Sequence, residues 1–256
     1  MRTRVILACG VAAVIVVPSA GCQSDSGSPA PAGSSSSSTA APTTTGTPPP
    51  PTSSAPPPPA GPLVQMEQLT GLLPSAAEAG AAVNIPNLSA TESHDTLSLL
   101  PDDYVSDMSC VGAIADAAIQ PYSDSPVVKV RTQDYAPGDG SNSATVITSA
   151  ILYETVQDAR DMVAATVAGW QACAGKSVQV KTMPAPSTFT IGTAAATGDL
   201  HTLIDTRTAP PDFSCGRGIT SRNNVVIDLT VCGKDPAAVG AGTQAALGQI
   251  AAKVPA

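Results

Sequence analysis

Between Val225 and Cys232 the chain alternates with a period of two. Val225, Ile227, Leu229 and Val231 form one apolar side, and Val226, Asp228, Thr230 and Cys232 form a mixed side. That is the signature of a strand, and its mixed side needs partial cover. The run from Asp212 to Arg222 precedes it, joined through Asn223-Asn224, a pair that tolerates the positive φ of a two-residue hairpin turn. With that turn, Arg222 faces Val225 and Cys215 faces Cys232. Counted outward, the cysteine pair is non-hydrogen-bonded, with Cα atoms roughly 4.5 Å apart and within disulfide range. The expectation is a hairpin stapled near its open end, and hence an oxidising compartment.

Other segments follow the same logic. Pro126 to Asp134 alternates Val128 and Val130 with Lys129 and Arg131, and Thr145 to Leu152 reads as its return strand. The intervening run from Ala136 to Ser143 is rich in turn residues; its Asp139 start lacks the further carboxylates that calcium needs, so it reads as a hairpin loop. Val178 and Val180, Thr188 to Gly192, and Leu200 to Thr206 are further strands, with a turn at Thr197-Gly198-Asp199. Thr155, with Asp158 three residues on, resembles a capping box. Behind it Ala159, Met162, Val163, Thr166, Val167, Trp170 and Cys173 keep helical spacing. Asp235-Pro236 opens a last helix to about Lys253.

Before the first strand the signals are shorter. Val64 to Leu73 reads as a helix broken at Pro74, and a second helical stretch extends through Ala81. Ile85 to Asp102 shows no period and is assigned to a loop. Ser106 or Ser109 caps a helix through Ile119, closed by Pro121. Tight turns between neighbouring strands imply antiparallel pairing. The fold class is therefore α+β: a single twisted antiparallel β-sheet of about six strands packed with helices.

Composition adds the frame. Residues 1–21 carry a basic start, an apolar run from Val5 to Val17, and Ala20-Gly21 before Cys22, which resembles a lipoprotein signal peptide. Cys22 is the expected lipidation site, carrying a diacylglyceryl or palmitate anchor in the cell membrane. The competing reading is an ordinary signal peptide cleaved near Ala20. Residues 22–62 are Ser, Thr, Pro, Ala and Gly almost throughout, a tether unable to bury enough surface to fold. Residues 63–256 are ample for one domain. The net charge of −8 includes Arg2 and Arg4 of the signal segment, so the remainder is more acidic still. No basic patch suited to nucleic acid is present. Aromatic residues make up 3%, so small and aliphatic side chains must fill the core.

A short helical start, a helix with Cys110, Tyr122 to Ser125 as a Y-x-x-S strand entry, Trp170-Gln171-Ala172-Cys173, a strand led by Cys215 and the Asn-Val-Val-Ile-Asp strand ending at Cys232 occur in that order. Together they resemble the PknH-like extracellular sensor domain over roughly residues 63–256. The resemblance implies an antiparallel sheet with helices, two disulfides and a cleft for an unidentified ligand. It also implies a domain that forms the outer part of a receptor kinase, or stands alone on a lipoprotein. The four cysteines of the domain allow three pairings. With Cys215–Cys232 set by the hairpin, Cys110–Cys173 follows.

Signals for chemistry are sparse. The two histidines are His94, in an aperiodic stretch, and His201, on a strand. There is no Gly-x-Ser-x-Gly elbow, no His-Glu-x-x-His and no glycine-rich phosphate loop after a strand. Asp102, Asp103, Asp107, Asp199, Asp205 and Asp228 leave a carboxylate pair open as an idea without placing one. The favoured reading is thus a non-catalytic sensor module on a lipid anchor, at the extracytoplasmic face, binding an envelope molecule or partner protein. No cofactor and no metal are expected. Trp170, His201 and Tyr122 are the ligand-contact candidates. The alternative is an envelope hydrolase using His201 or a carboxylate pair.

Overall fold

The computed structural model describes residues 61–141, 143–181, 185–209 and 212–256. Cys22, the signal segment and the tether up to residue 60 lie outside the described residues. Two short helices, α1 (Leu69–Leu72) and α2 (Ala76–Val83), lead to strand β1 (Leu88–His94). Helices α3 (Val111–Ile114) and α4 (Ile119–Tyr122) precede a hairpin of β2 (Val127–Pro137) and β3 (Thr145–Tyr153). The long helix α5 (Val156–Cys173) follows, then β4 (Ser177–Val180), β5 (Ser187–Thr190), β6 (Ala195–Thr197) and β7 (Leu200–Ala209). The chain ends with β8 (Ser214–Arg222), β9 (Val225–Gly233) and α6 (Pro236–Lys253).

These strands form one nine-stranded sheet in the order β1-β2-β3-β9-β8-β7-β5-β4, with β6 paired to β7 off that path. Every pairing is antiparallel. The α+β class and the two disulfides stand, but the sheet is wider than six strands. β1 escaped the sequence pattern because only Leu88 of its seven residues is buried, so no alternation marks it. β6 is three residues long and wholly exposed, so burial leaves no trace there either.

The sheet lies between two helical layers. On one side α1, α2 and α6 cover Val225, Ile227, Leu229 and Val231 together with Val146, and Leu247 and Ile250 supply the facing side chains. Each such aliphatic residue contributes about 1.5–3 kcal/mol by leaving water. Gly216 and Gly218 bring α6 close, since a Cβ on Gly216 would overlap Thr243 and crowd Val239. On the other side, α5 and the segment from Leu97 to Tyr122 cover Val130, Ile151, Val226 and Ile219. β9 is central, and all nine of its residues are buried.

The hairpin register is the one the turn implies, with Cys215 opposite Cys232 and Arg222 opposite Val225. Asn223 alone of the turn pair takes positive φ, at 53°. Thr155 accepts from the Asp158 amide at 3.1 Å, and Asp235 accepts from the Ala237 amide at 3.0 Å, as N-caps do. The single helix expected after Ser106 or Ser109 does not form. Asp107 caps a 3-10 turn at Met108–Cys110, α3 stops at Ile114, and residues 115–118 cross the sheet before α4 begins. Side chains of the sheet have captured this segment's polar groups.

Candidate functional site

The mixed side of β9 is where that capture happens. Arg217 on β8 faces Thr230 and lies diagonal to Asp228, on the same side of the sheet. Its side chain is fully buried. Nη2 donates to Asp228 Oδ1 at 2.7 Å, and Nη1 donates to Thr230 Oγ1 at 2.7 Å and to the Leu229 carbonyl at 2.9 Å. Nε and Nη2 donate to the Gly112 carbonyl at 3.4 and 3.3 Å. All the guanidinium donors therefore have acceptors, the condition for burying such a charge.

Asp228 extends the network. Its Oδ2 accepts from the Tyr122 hydroxyl at 2.8 Å and from the Ala117 amide at 2.9 Å. Ala117 has φ of 43°, a left-handed conformation costing about 1–2 kcal/mol for a residue with a Cβ. The bond to Asp228 helps hold it there. Thr230 passes a hydrogen bond to Asp116 Oδ1 at 2.9 Å, and Ser149 donates to Asp116 Oδ2 at 3.3 Å. Asp116 lies 3.8 Å from Arg217 Nη1. Burial, opposed by Arg217 and reinforced by Asp228, pushes the Asp116 carboxyl up to about 6.

Beside this network is a cavity of about 210 Å³. Its polar wall is Asp116 and Asp205, its aromatic walls are Tyr104, Phe189 and Phe213, and its floor includes the Cys215–Cys232 disulfide. Asp205, on β7, is 1% exposed. Its Oδ1 accepts from the Gly192 amide at 3.2 Å, while its Oδ2 has no partner among the described residues. Burial pushes this carboxyl up to about 7, against the pull of the Gly192 amide and Arg217. Perturbed carboxyls lining a mostly apolar cavity make it the candidate binding site.

The other depressions are poorer in such groups. A groove of about 270 Å³ between α3, α4 and α5 is lined by Met108, Val111, Pro121, Met162 and Trp170, with no titratable side chain. A wide, open groove of about 780 Å³ holds His201, Asp199, Ser221 and Arg160. No hydrogen bond links the His201 side chain to Asp199 or Ser221 among the described residues. Asp205 is four residues along the strand from His201, roughly 13 Å away.

The candidates from sequence thus take different places. Trp170 is 1% exposed, donates Nε1–H to the Gly112 carbonyl at 2.8 Å, and lies 5.8 Å from the Arg217 guanidinium. Tyr122 is buried against Asp228. Both support the network from behind the cavity, and neither lines it. His201 is half-buried in the open groove. Cys110 is bonded to Cys173 and Cys215 to Cys232. Arg217 and Asp116 were not singled out from sequence; the hairpin register did place Arg217 diagonal to Asp228 on the mixed face, and that was the available signal. Glu92 and His94 on the exposed edge strand β1 and Asp134 on β2 bring three ligand-type atoms within 4.8 Å of one another.

The fold agrees with comparisons to known proteins. The pattern describing the PknH-like extracellular domain matches residues 64–254. The chain belongs to the PknH-like extracellular domain family. The serine/threonine-protein kinase PknH of Mycobacterium bovis is 27% identical over 198 residues, covering 75% of this chain and 31% of that protein. PknH of Mycobacterium tuberculosis is 27% identical over 198 residues, covering 75% of this chain and 29% of its own length. The chain thus spans less than a third of the curated relatives it matches. The crystal structure of the extracellular domain of PknH from Mycobacterium tuberculosis shares the fold, with a TM-score of 0.67 and 22% identity, over 73% of this chain and 97% of that one. Among the described residues of this PknH-like domain, no helix is long and apolar enough to cross a membrane.

Proposed function

We propose that this PknH-like domain is a non-catalytic, extracytoplasmic sensor module that takes a small ligand into the cavity over the Cys215–Cys232 disulfide. The observation that carries this reading is Asp205: a buried carboxyl whose Oδ2 has no partner among the described residues, on a residue that lines a mostly apolar and aromatic cavity. Leaving such an atom unsatisfied costs about 1–3 kcal/mol, so the fold retains it at the expense of stability. Anchoring through an acylated Cys22, with residues 22–62 as spacer, belongs to the same proposal and rests on the sequence alone. So does the outward location, which the family's description supports. A hydrolase reading has less behind it, since His201 has no carboxylate partner among the described residues and Asp116 is engaged by Thr230 and Ser149.

The test is native mass spectrometry of the oxidised protein isolated from its own envelope. The expected result is a non-covalent small-molecule adduct on the wild type. Ile147→Phe, which fills the cavity from β3, is expected to lose that adduct while keeping both disulfides. An adduct retained in full by Ile147→Phe, or a wild type without one, would count against the proposal.

A further inference from the structure

The chain contains only two phenylalanines, one tryptophan and four tyrosines. Both phenylalanines, Phe189 and Phe213, and one of the tyrosines, Tyr104, line this one cavity of about 210 Å³. Trp170, Tyr122, Tyr135 and Tyr153 are buried elsewhere in the core, so three of the seven aromatic rings meet at this one cavity. Aromatic rings around a carboxylate attract organic cations, through the ring quadrupole and through the charge. A cavity near 150 Å³ already accepts a benzene ring, so a ring-sized body fits.

The charges around the cavity point the same way. Asp205 shares its surroundings with Arg217 from β8, which is itself paired with Asp228 on β9, and shares the cavity wall with Asp116 from residues 115–118 and Tyr104 from the loop before α3. Arg207, two residues along β7, is held over the Phe213 ring at 4.6 Å and forms no ion pair with Asp205 among the described residues. Arg217 spends its donors on Asp228, Thr230 and two carbonyls and gives none to Asp205. The buried acids therefore outnumber the cation that neutralises them, and Asp205 is the one left to share a proton with whatever enters.

Resting on the reading of this cavity as a ligand site, we propose that its ligand is a small protonated amine with an apolar body, its ammonium N–H donated to the Asp205 carboxylate and its carbon frame held by Tyr104, Phe189 and Phe213. The cation takes the place of the proton that Asp205 otherwise carries. Because burial raises the Asp205 carboxyl to about 7, the ionised form that accepts an ammonium grows as pH rises through that value. Proton and amine compete, so affinity for the amine rises from mildly acid to mildly alkaline pH.

The experiment is isothermal titration of the oxidised full-length protein with benzylamine and with benzyl alcohol, the second having the same shape without the charge. At pH ~8 the amine is expected to bind on the order of ten-fold tighter than the alcohol, and at pH ~5 that preference should collapse. Asp205→Asn should bind both probes alike at both pH values, and the wild-type pH comparison stands by itself if the variant does not fold. Alcohol binding as tight as amine binding at pH ~8 would overturn the cation and leave the cavity as a ligand site. Failure of both probes to bind would overturn both.

Discussion

Replacing Arg217 with leucine is expected to lower the stability of the oxidised domain by about 3–5 kcal/mol, the cost of leaving buried carboxylates without their cation. Asp228 and Asp116 would remain in the interior facing an aliphatic chain, and the Gly112 carbonyl would lose two of its three donors. For a domain of this size the melting temperature should fall by roughly 10 °C. Arg217→Lys should recover only part of the loss, since an ammonium offers three donors from one point and cannot reach the same set of acceptors. Replacing Arg217, Asp228 and Asp116 together with aliphatic residues strands no charge but leaves the Ala117 amide and the Tyr122 hydroxyl without their acceptor, so it should recover only part of the loss. Chemical denaturation measures all three. A loss below ~1 kcal/mol for Arg217→Leu would mean that water reaches the network and that the interior described above is not dry.

The second large effect concerns sulfur. Converting Cys110 and Cys173 to serine opens a bridge between positions 63 residues apart. Loop entropy assigns that bridge about 4 kcal/mol, against about 3 kcal/mol for the Cys215–Cys232 link, whose partners are 17 apart. The functional costs should run in the opposite order. Cys215 and Cys232 floor the cavity, so their loss should weaken benzylamine binding beyond what stability explains. Cys110–Cys173 pins the segment that carries Gly112, Asp116 and Ala117 to the end of α5, and its loss should act first through unfolding. Melting curves and titrations of the two double variants separate the two roles. Equal melting temperatures for the two would contradict the assignment.

How far the sequence disclosed this arrangement differs from element to element. The hairpin register was legible because Asn223-Asn224 limits the turn and a period of two carries the count outward to the cysteines. Helix α5 was legible because its cap and apolar stripe agree. β1 was not, because an exposed edge strand buries too little to leave a pattern. The stretch after Ser106 misled for a different reason: its apolar spacing suits a helix, but Asp228 and Arg217 compete for its Gly112 carbonyl and Ala117 amide and pull it open. That competition is tertiary and has no local sign. Asp228 itself was visible as a charge on a strand needing cover; which segment covers it was not. The cavity was least legible of all, since Tyr104, Asp116, Phe189, Asp205 and Phe213 come from four separate stretches that only the sheet order unites.

The claim on which the account depends is that the ligand enters beside Asp205 rather than the wide groove at His201. Amide chemical-shift mapping of the oxidised protein titrated with benzylamine at pH ~8 tests it directly. The account predicts that the largest shifts fall on Gly192, Asp205, Phe213, Cys215 and Ala115, with Asp199, His201 and Ser221 unmoved. Shifts centred on His201 and Ser221, with Gly192 and Asp205 silent, would contradict it.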